Sequence, residues 1–287
     1  MNWPIQQLKV AEFPTLLREI PDCPTALSFR GTMPPPDTIY LCVVGSRSCT
    51  QYGRRMTAKL IGGLAQYPVA IVSGMALGID SEAHKAALDV GLPTVAVLPS
   101  GLDSDVIYPR MNRPLAEQIL KSGGALLSEN PHDFVAMLHS FPQRNRIKAG
   151  MSKATLIVEA GEKSGTLITA RLAMEYNREV LGVPHELGRE TGAGVNALIR
   201  EGATLVRSSE DILEALGLKA HEPVQGTLPT DLTIAESKIL TALASEALVR
   251  DELLERAQIS AQDASIALSS LLIRGLILER LGKIERV

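Results

Sequence analysis

The chain has 287 residues, 45% of them hydrophobic and 21% charged, with a formal net charge of −3. This is ordinary globular composition, enough for one large domain and a small one, and its slight acidity excludes a nucleic-acid partner held by overall charge rather than by a local basic patch. Three cysteines without a CxxC spacing argue against a disulfide framework or zinc site and fit a reducing cytoplasm; the sequence shows neither a signal-peptide pattern nor an apolar run long enough, about 18 residues, to span a membrane.

Residues 1–37 are proline-rich and are expected to form a short irregular lead-in, because "MPPPD" suits neither a helix nor a sheet centre. From Thr38 the rhythm changes. "TIYLCVVGS", "VAIVSG", "TVAVLPSG", "ALLSE", "ATLIVEAG", "EVLGVP" and "TLVRS" are apolar runs of strand length, and segments with helical spacing follow them, such as "YGRRMTAKLIGGLAQ" and "SEAHKAALDVG". The alternation predicts a doubly wound α/β domain with a mainly parallel sheet over 38–218, its ligands placed beyond the C-terminal strand ends. Residues 219–230, with "HEPVQGTLPT", read as a linker. Residues 231–287 show three helical segments and an alternating hairpin, the pattern of a small winged-helix domain.

Four loops carry the candidate site residues. In "VVGSRSCTQYGRR", Gly45 permits a tight turn and Arg47 stands where a guanidinium can grip a phosphate. In "IVSGMALGIDSEAHKAAL", Asp80 reads as the N-cap of a helix beginning at Ser81, and His84 as a packed or hydrogen-bonded histidine rather than half of an acid–base or metal pair. In "LPSGLDSDVIYPRMNRPLAEQ", Arg110, Asn112 and Arg113 precede a helix, while Asp103 and Asp105 are a weak cation signal. In "FPQRNRIKAGMSKATLIVEAGEKSGTLITARLA", Arg144, Arg146 and Lys148 form a basic cluster, with Arg144 and Lys148 on one helix face. Ser164 there reads as an N-cap, with the N–H groups of Gly165 and Thr166 presented to an anion and Lys163 beside them. "GRETGAGVNALIREG" adds a glycine-rich loop with Asn196 near a helix start. No GxGxxG follows the first strand, and GxxxxGK[ST], GxSxG and HExxH are missing, so the pattern favours a phosphate-binding platform over a catalytic set.

Taken in order, "VVGSR…YG", "IVSGMALGIDSEAHKAAL", "VLPSGLD…YPRMN", "LLSENP", "FPQRNRIKAGMS" and "VEAGEKSGTLITARLAMEYNREVLGVP" resemble the DNA-processing protein A family, DprA or Smf, over about residues 25 to 210. The resemblance implies a Rossmann-like protein that binds single-stranded DNA, protects incoming strands in natural transformation and loads the RecA recombinase. It further implies a homodimer without cofactor or established catalytic activity. The positions it implies for phosphate contact are Ser46, Arg47, Arg110, Arg144, Asn145, Lys163, Ser164, Gly165 and Thr166. Longer members carry an N-terminal helical SAM-like domain, which is not expected here, where about 37 residues precede the first expected strand.

Two other readings stand beside this one. "AGEKSGTLITA" is similar to the PGGxGTxxE loop of nucleoside monophosphate phosphoribohydrolases, but Thr169 occupies the position of their glutamate. A winged-helix transcription factor is the other, but the expected recognition helix offers only Arg274 as a base. That domain is therefore expected to bind protein more than DNA. Aromatic residues are scarce, and Tyr52, Tyr108 and Phe141 are the candidates for base stacking near the loops.

Overall fold

The computed structural model describes residues 3–35, 38–219, 232–243, 248–273, 277–280 and 283–286. The chain divides into two compact units, Met1–Ala220 and His221–Val287. The expected linker, apart from Lys219, lies outside the described residues, as does Arg274.

In the first unit the elements are β1 (Gln6–Lys9), α1 (Thr15–Arg18), β2 (Ala26–Gly31), β3 (Ile39–Val44), α2 (Gln51–Gly62), β4 (Val69–Ser73), α3 (Ile79–Asp89), β5 (Thr94–Val97) and α4 (Arg113–Lys121). They continue with β6 (Ala125–Ser128), α5 (Ser140–Met151), β7 (Ala154–Ile157), α6 (Thr166–Glu175), β8 (Glu179–Gly182), α7 (Glu190–Arg200), β9 (Thr204–Leu205) and α8 (Ser209–Ala215). One sheet runs in the order β1-β2-β6-β5-β4-β3-β7-β8-β9. The strands from β6 to β9 in that order pair in parallel, as the run of apolar strands predicts.

β3 shows why the strands read as unbroken apolar runs. Successive residues face opposite sides of a sheet: Leu41 and Val43 pack with Leu60 and Ile61 of α2 and Ile79 of α3, while Cys42 and Val44 pack with Ala170 of α6 and Val195 of α7. Both faces are covered, so both sets are apolar. Thr50 caps α2, its hydroxyl accepting from the Gly53 N–H at 3.2 Å.

The irregular lead-in is a correction. Residues 1–37 contribute β1 and β2, which extend the sheet antiparallel at the β6 edge. Leu27 of β2 is buried and Phe29 packs beside the same core, with Leu17 of α1 beneath them. Neither strand forms an apolar run: β1, at the sheet edge, reads QQLK and is mostly exposed, and in β2 the polar Ser28 and Arg30 alternate with Leu27 and Phe29.

The second unit holds α9 (Ile234–Ala242), β10 (Leu248–Val249), α10 (Arg250–Ala257), α11 (Ala261–Ile273), β11 (Ile277–Arg280) and β12 (Lys283–Arg286). The expected hairpin, β11–β12, gains β10 as a third antiparallel strand. Leu240, Leu253, Leu271 and Ile284 form a core of the unit's own. Among the described residues no helix is long and apolar enough to cross a membrane.

Candidate nucleic-acid interface

From β3 the chain winds through β4, β5 and β6 on one side, then returns to place β7 on the other. The C-terminal ends of β3 and β7 therefore flank the topological switch point, where loops part and leave a crevice. A cavity of about 260 Å³ opens there, lined by Gly45 and Arg47 after β3, Asp80 of α3, Arg144, Asn145 and Lys148 of α5, and the Ser164–Thr166 loop before α6.

Arg144 and Lys148 are only 5% and 3% exposed, so the basic cluster is not a solvated helix face. Both approach the same oxygen of Asp80, Oδ2, from Nη1 and Nζ at 3.9 Å. That oxygen also accepts from the N–H groups of Gly74 at 3.0 Å and Ala76 at 3.4 Å. Two buried cations thus share one carboxylate. Burial, with the neighbouring Arg144 charge, lowers the Lys148 pKa to about 8, and Asp80 opposes the shift. Burial likewise holds the Arg144 pKa below its usual range. Nε and Nη1 of Arg144 are buried and have no hydrogen-bond partner among the described residues, a costly arrangement unless a ligand accepts from them.

Asp80 is not the N-cap of α3. Gly78 holds that place with φ +77°, and a side chain on it would strike the Ser46 carbonyl. Asp80 stands in the first turn and folds back onto the preceding loop. His84 is fully buried, with Nδ1 2.7 Å from the Thr94 hydroxyl. That hydroxyl donates to the Ile71 carbonyl, so Nδ1 carries the hydrogen and donates to Thr94. Burial lowers the His84 pKa to about 4, which keeps the ring neutral. It is the packed histidine expected of it.

Arg47 is exposed and forms no ion pair among the described residues; its guanidinium lies 5.3 Å from the centroid of the Phe141 ring. Phe141 in turn meets Tyr108 edge-on at 5.4 Å. Arg146 does not line the cavity, and its Nη2 donates to both carboxylate oxygens of Glu129 at 2.5 and 2.7 Å.

Of the nine positions the family resemblance implies, Arg47, Arg144, Asn145, Ser164, Gly165 and Thr166 line the cavity, whereas Ser46, Arg110 and Lys163 do not. Ser164 does not cap α6, which begins at Thr166 with Gly165 at the cap position. Its hydroxyl accepts instead from the Thr166 N–H at 3.2 Å, and its carbonyl takes the Leu167 N–H. The tight first turn consumes these donors, and of the expected pair the Gly165 N–H has no hydrogen-bond partner among the described residues. Helix-end partial charge is thus secondary here to side-chain cations. Lys148 and Asp80 are the residues missing from the expected set; Lys148 was legible as the i+4 partner of Arg144, but the role of Asp80 as counter-ion joins two elements distant in sequence.

In the β5–α4 loop, Asp103 contacts His132 at 3.0 Å, and the Asp105 carbonyl accepts from Arg113. Asn112 donates to the Met75 carbonyl and the Ser81 hydroxyl. Asn196 lies within α7 and brackets the backbone N–H and C=O of His185, both at 3.0 Å. Among the described residues no group of three or more His, Cys, Asp or Glu could hold a metal ion.

An α/β protein with a cationic cavity at the switch point of its parallel sheet is the class these elements define. A family model, DNA recombination-mediator protein A, matches residues 5–217, and the chain belongs to that family. It is 44% identical over 209 residues to Protein Smf of Escherichia coli K12; the match covers 73% of this chain and spans 55% of that relative's length. The crystal structure of DNA processing protein A from Streptococcus pneumoniae superposes with a TM-score of 0.67 at 37% identity, covering 75% of this chain and 74% of that one. The Helicobacter pylori DNA processing protein A, described with a single-stranded DNA binding mode, superposes with a TM-score of 0.65 at 29% identity, covering 75% and 96%.

Proposed function

We propose that the cavity binds the phosphates of single-stranded DNA without reading sequence, and that the chain acts on that DNA as a recombination mediator rather than an enzyme. The observation that carries this reading is the buried Arg144–Lys148 pair sharing one carboxylate, with Arg47 exposed at the rim. An uncompensated buried charge is costly in a folded protein unless an anion arrives. The binding mode described for the H. pylori relative supports the same ligand class. A phosphoribohydrolase reading fares worse. Thr169, in the glutamate's place, is buried and lines the cavity. Asp80, the carboxylate there, is already engaged by two N–H groups and faced by two cations. Protection of incoming strands in transformation, RecA loading, homodimerisation and a cytoplasmic site complete the proposal and rest on family membership alone.

The test is fluorescence anisotropy of a labelled poly-dT strand against the wild type and Arg47→Ala across a salt series. Wild-type affinity is expected to fall steeply with salt, and the variant to bind more weakly with a slope shallower by about 0.7, one phosphate contact on a single strand. Affinity is also expected to fall as pH rises through about 8, where Lys148 loses its proton. Binding indifferent to Arg47 and to salt would remove DNA from the site and point to small phosphorylated ligands. Equal affinity for a duplex of the same length would remove the single-strand preference.

We assign the second unit to a winged helix that engages protein rather than DNA. Its α11 exposes Ile266 and Leu272 at 67% and 41%, and no basic residue lies within that helix. Micromolar DNA binding by isolated residues 228–287 would overturn this assignment.

A further inference from the structure

A second groove, of about 620 Å³, lies between α4 and the β5–α4 loop. It is lined by Trp3, Arg30, Arg113 and Lys121, with Glu117 as its acidic residue. Lys121 and Glu117 pair loosely at 3.8 Å, both about two-thirds exposed. The two guanidiniums are held by neutral oxygens instead of carboxylates. Arg30 donates to the carbonyls of Trp3 at 3.2 Å and Leu102 at 2.7 Å and to the Ser104 hydroxyl at 3.2 Å, and Arg113 donates to the Asp105 carbonyl. Hydrogen bonding to neutral groups orients a cation and leaves its charge in place. Three cations therefore face one carboxylate, a surplus in a chain whose overall charge is negative. The Nε of Arg113 is buried with no partner among the described residues.

Trp3 is the sole tryptophan of the chain. It packs against the cluster built from Ile107, Leu115 and Leu120 and stays partly exposed where it lines the groove. An indole supported from behind and flanked by more cations than carboxylates is the chemistry that takes a base on a stacking platform and its phosphates on Arg and Lys.

The groove adjoins the first cavity through a single loop. Ser104 and Ile107 line the groove, and the next residue, Tyr108, touches Phe141 of the cavity wall. Arg110 and Met111, both exposed, follow directly. Arg110, which lines neither the cavity nor the groove, belongs to that same loop.

We propose that this groove is a second subsite for single-stranded DNA, in which a strand leaving the Arg144–Lys148 cavity crosses Tyr108 and Arg110 and stacks a base on Trp3. The proposal rests on the single-strand reading above. A free nucleotide offers the same base and phosphate, and the test separates the two sources.

The experiment pairs anisotropy with Trp3 fluorescence in the intact chain. Labelled oligo-dT strands of increasing length report binding by anisotropy, and Trp3 emission reports the groove. Short strands are expected to bind with Trp3 emission unchanged, and longer ones to quench it. Trp3→Leu and Lys121→Gln are each expected to weaken long strands about fivefold to tenfold and short strands not at all, stacking being the larger contribution. Both side chains are partly or largely exposed, and circular dichroism checks that the variants fold. Long strands that bind by anisotropy with unchanged Trp3 emission, and equally well to both variants, would overturn the subsite while leaving the first cavity intact. Absence of binding at every length would overturn both. Quenching by dTMP alone at the same concentration as by the strand would assign the groove to free nucleotides and overturn the strand path.

Discussion

Asp80→Asn is expected to lower the melting temperature of the first unit by roughly 10 °C, because removing one partner of a buried charge set costs about 3–5 kcal/mol. The substitution leaves Arg144 and Lys148 buried together without a counter-ion, while the amide retains the size of the side chain. The same loss raises the demand for an external anion. Millimolar phosphate or sulfate is therefore expected to restore more of the melting temperature in Asp80→Asn than it adds to the wild type. Lys148→Met in the Asp80→Asn background is expected to recover much of the stability, since it removes one of the two like charges. Thermal melts of the wild type, Asp80→Asn and the Asp80→Asn/Lys148→Met double variant, with and without phosphate, read all of this. A variant as stable as wild type would mean that the two cations do not depend on Asp80.

The sign of the Lys148 shift agrees. Its folded pKa, about 8, lies below the ordinary 10.5, so the unfolded chain binds more protons between those values and stability rises with pH across that window. Below about 8 the cost of the buried charge is fully present. Under neutral conditions the fold thus carries a destabilising ammonium, consistent with a group retained to meet an anion.

Gly74→Ala is expected to weaken single-strand binding about 10- to 100-fold, the loss of one charge-assisted hydrogen-bonding group worth about 1.5–3 kcal/mol. A Cβ at Gly74 would lie 1.2 Å from Nη1 of Arg144, so the guanidinium would have to leave its seat. No left-handed backbone angle is involved; the glycine is needed because the Arg144 guanidinium occupies the place a Cβ would take. Anisotropy on the labelled strand measures the loss, and a melt separates it from the cost of overpacking, about 1–3 kcal/mol. Affinity equal to wild type would show that Arg144 binds no phosphate from that position.

Much of the architecture was legible because the physics that builds it is local. Buried parallel strands must be apolar on both faces, so β3 to β8 announce themselves as continuous runs, and the helices between them by spacing. β1 and β2 were not legible in that way. β1, at the sheet edge, is mostly exposed and polar, and the alternation of Leu27 and Phe29 with Ser28 and Arg30 in ALSFRG was the trace that β2 left. Arg47 and Arg144 could be named because the resemblance and the strand-end rule both pointed at their loops. Ser164 was misjudged as a cap because a hydroxyl two residues before a helix can satisfy the Thr166 N–H from inside a tighter turn, a choice made by geometry rather than composition.

By itself, then, the order of residues determined the doubly wound sheet, the location of ligand-bearing loops at its C-terminal edge, and the family. Only the tertiary structure decided which cations became buried, which carboxylate they share, and which stayed outside. Arg144, Arg146 and Lys148 are equivalent as a sequence cluster. On the helix, Arg144 and Lys148 turn inward to Asp80 while Arg146, on another face, meets Glu129. The reason is that charge in a protein takes its energy from burial and from partners brought together by folding, and neither is a property of neighbours along the chain.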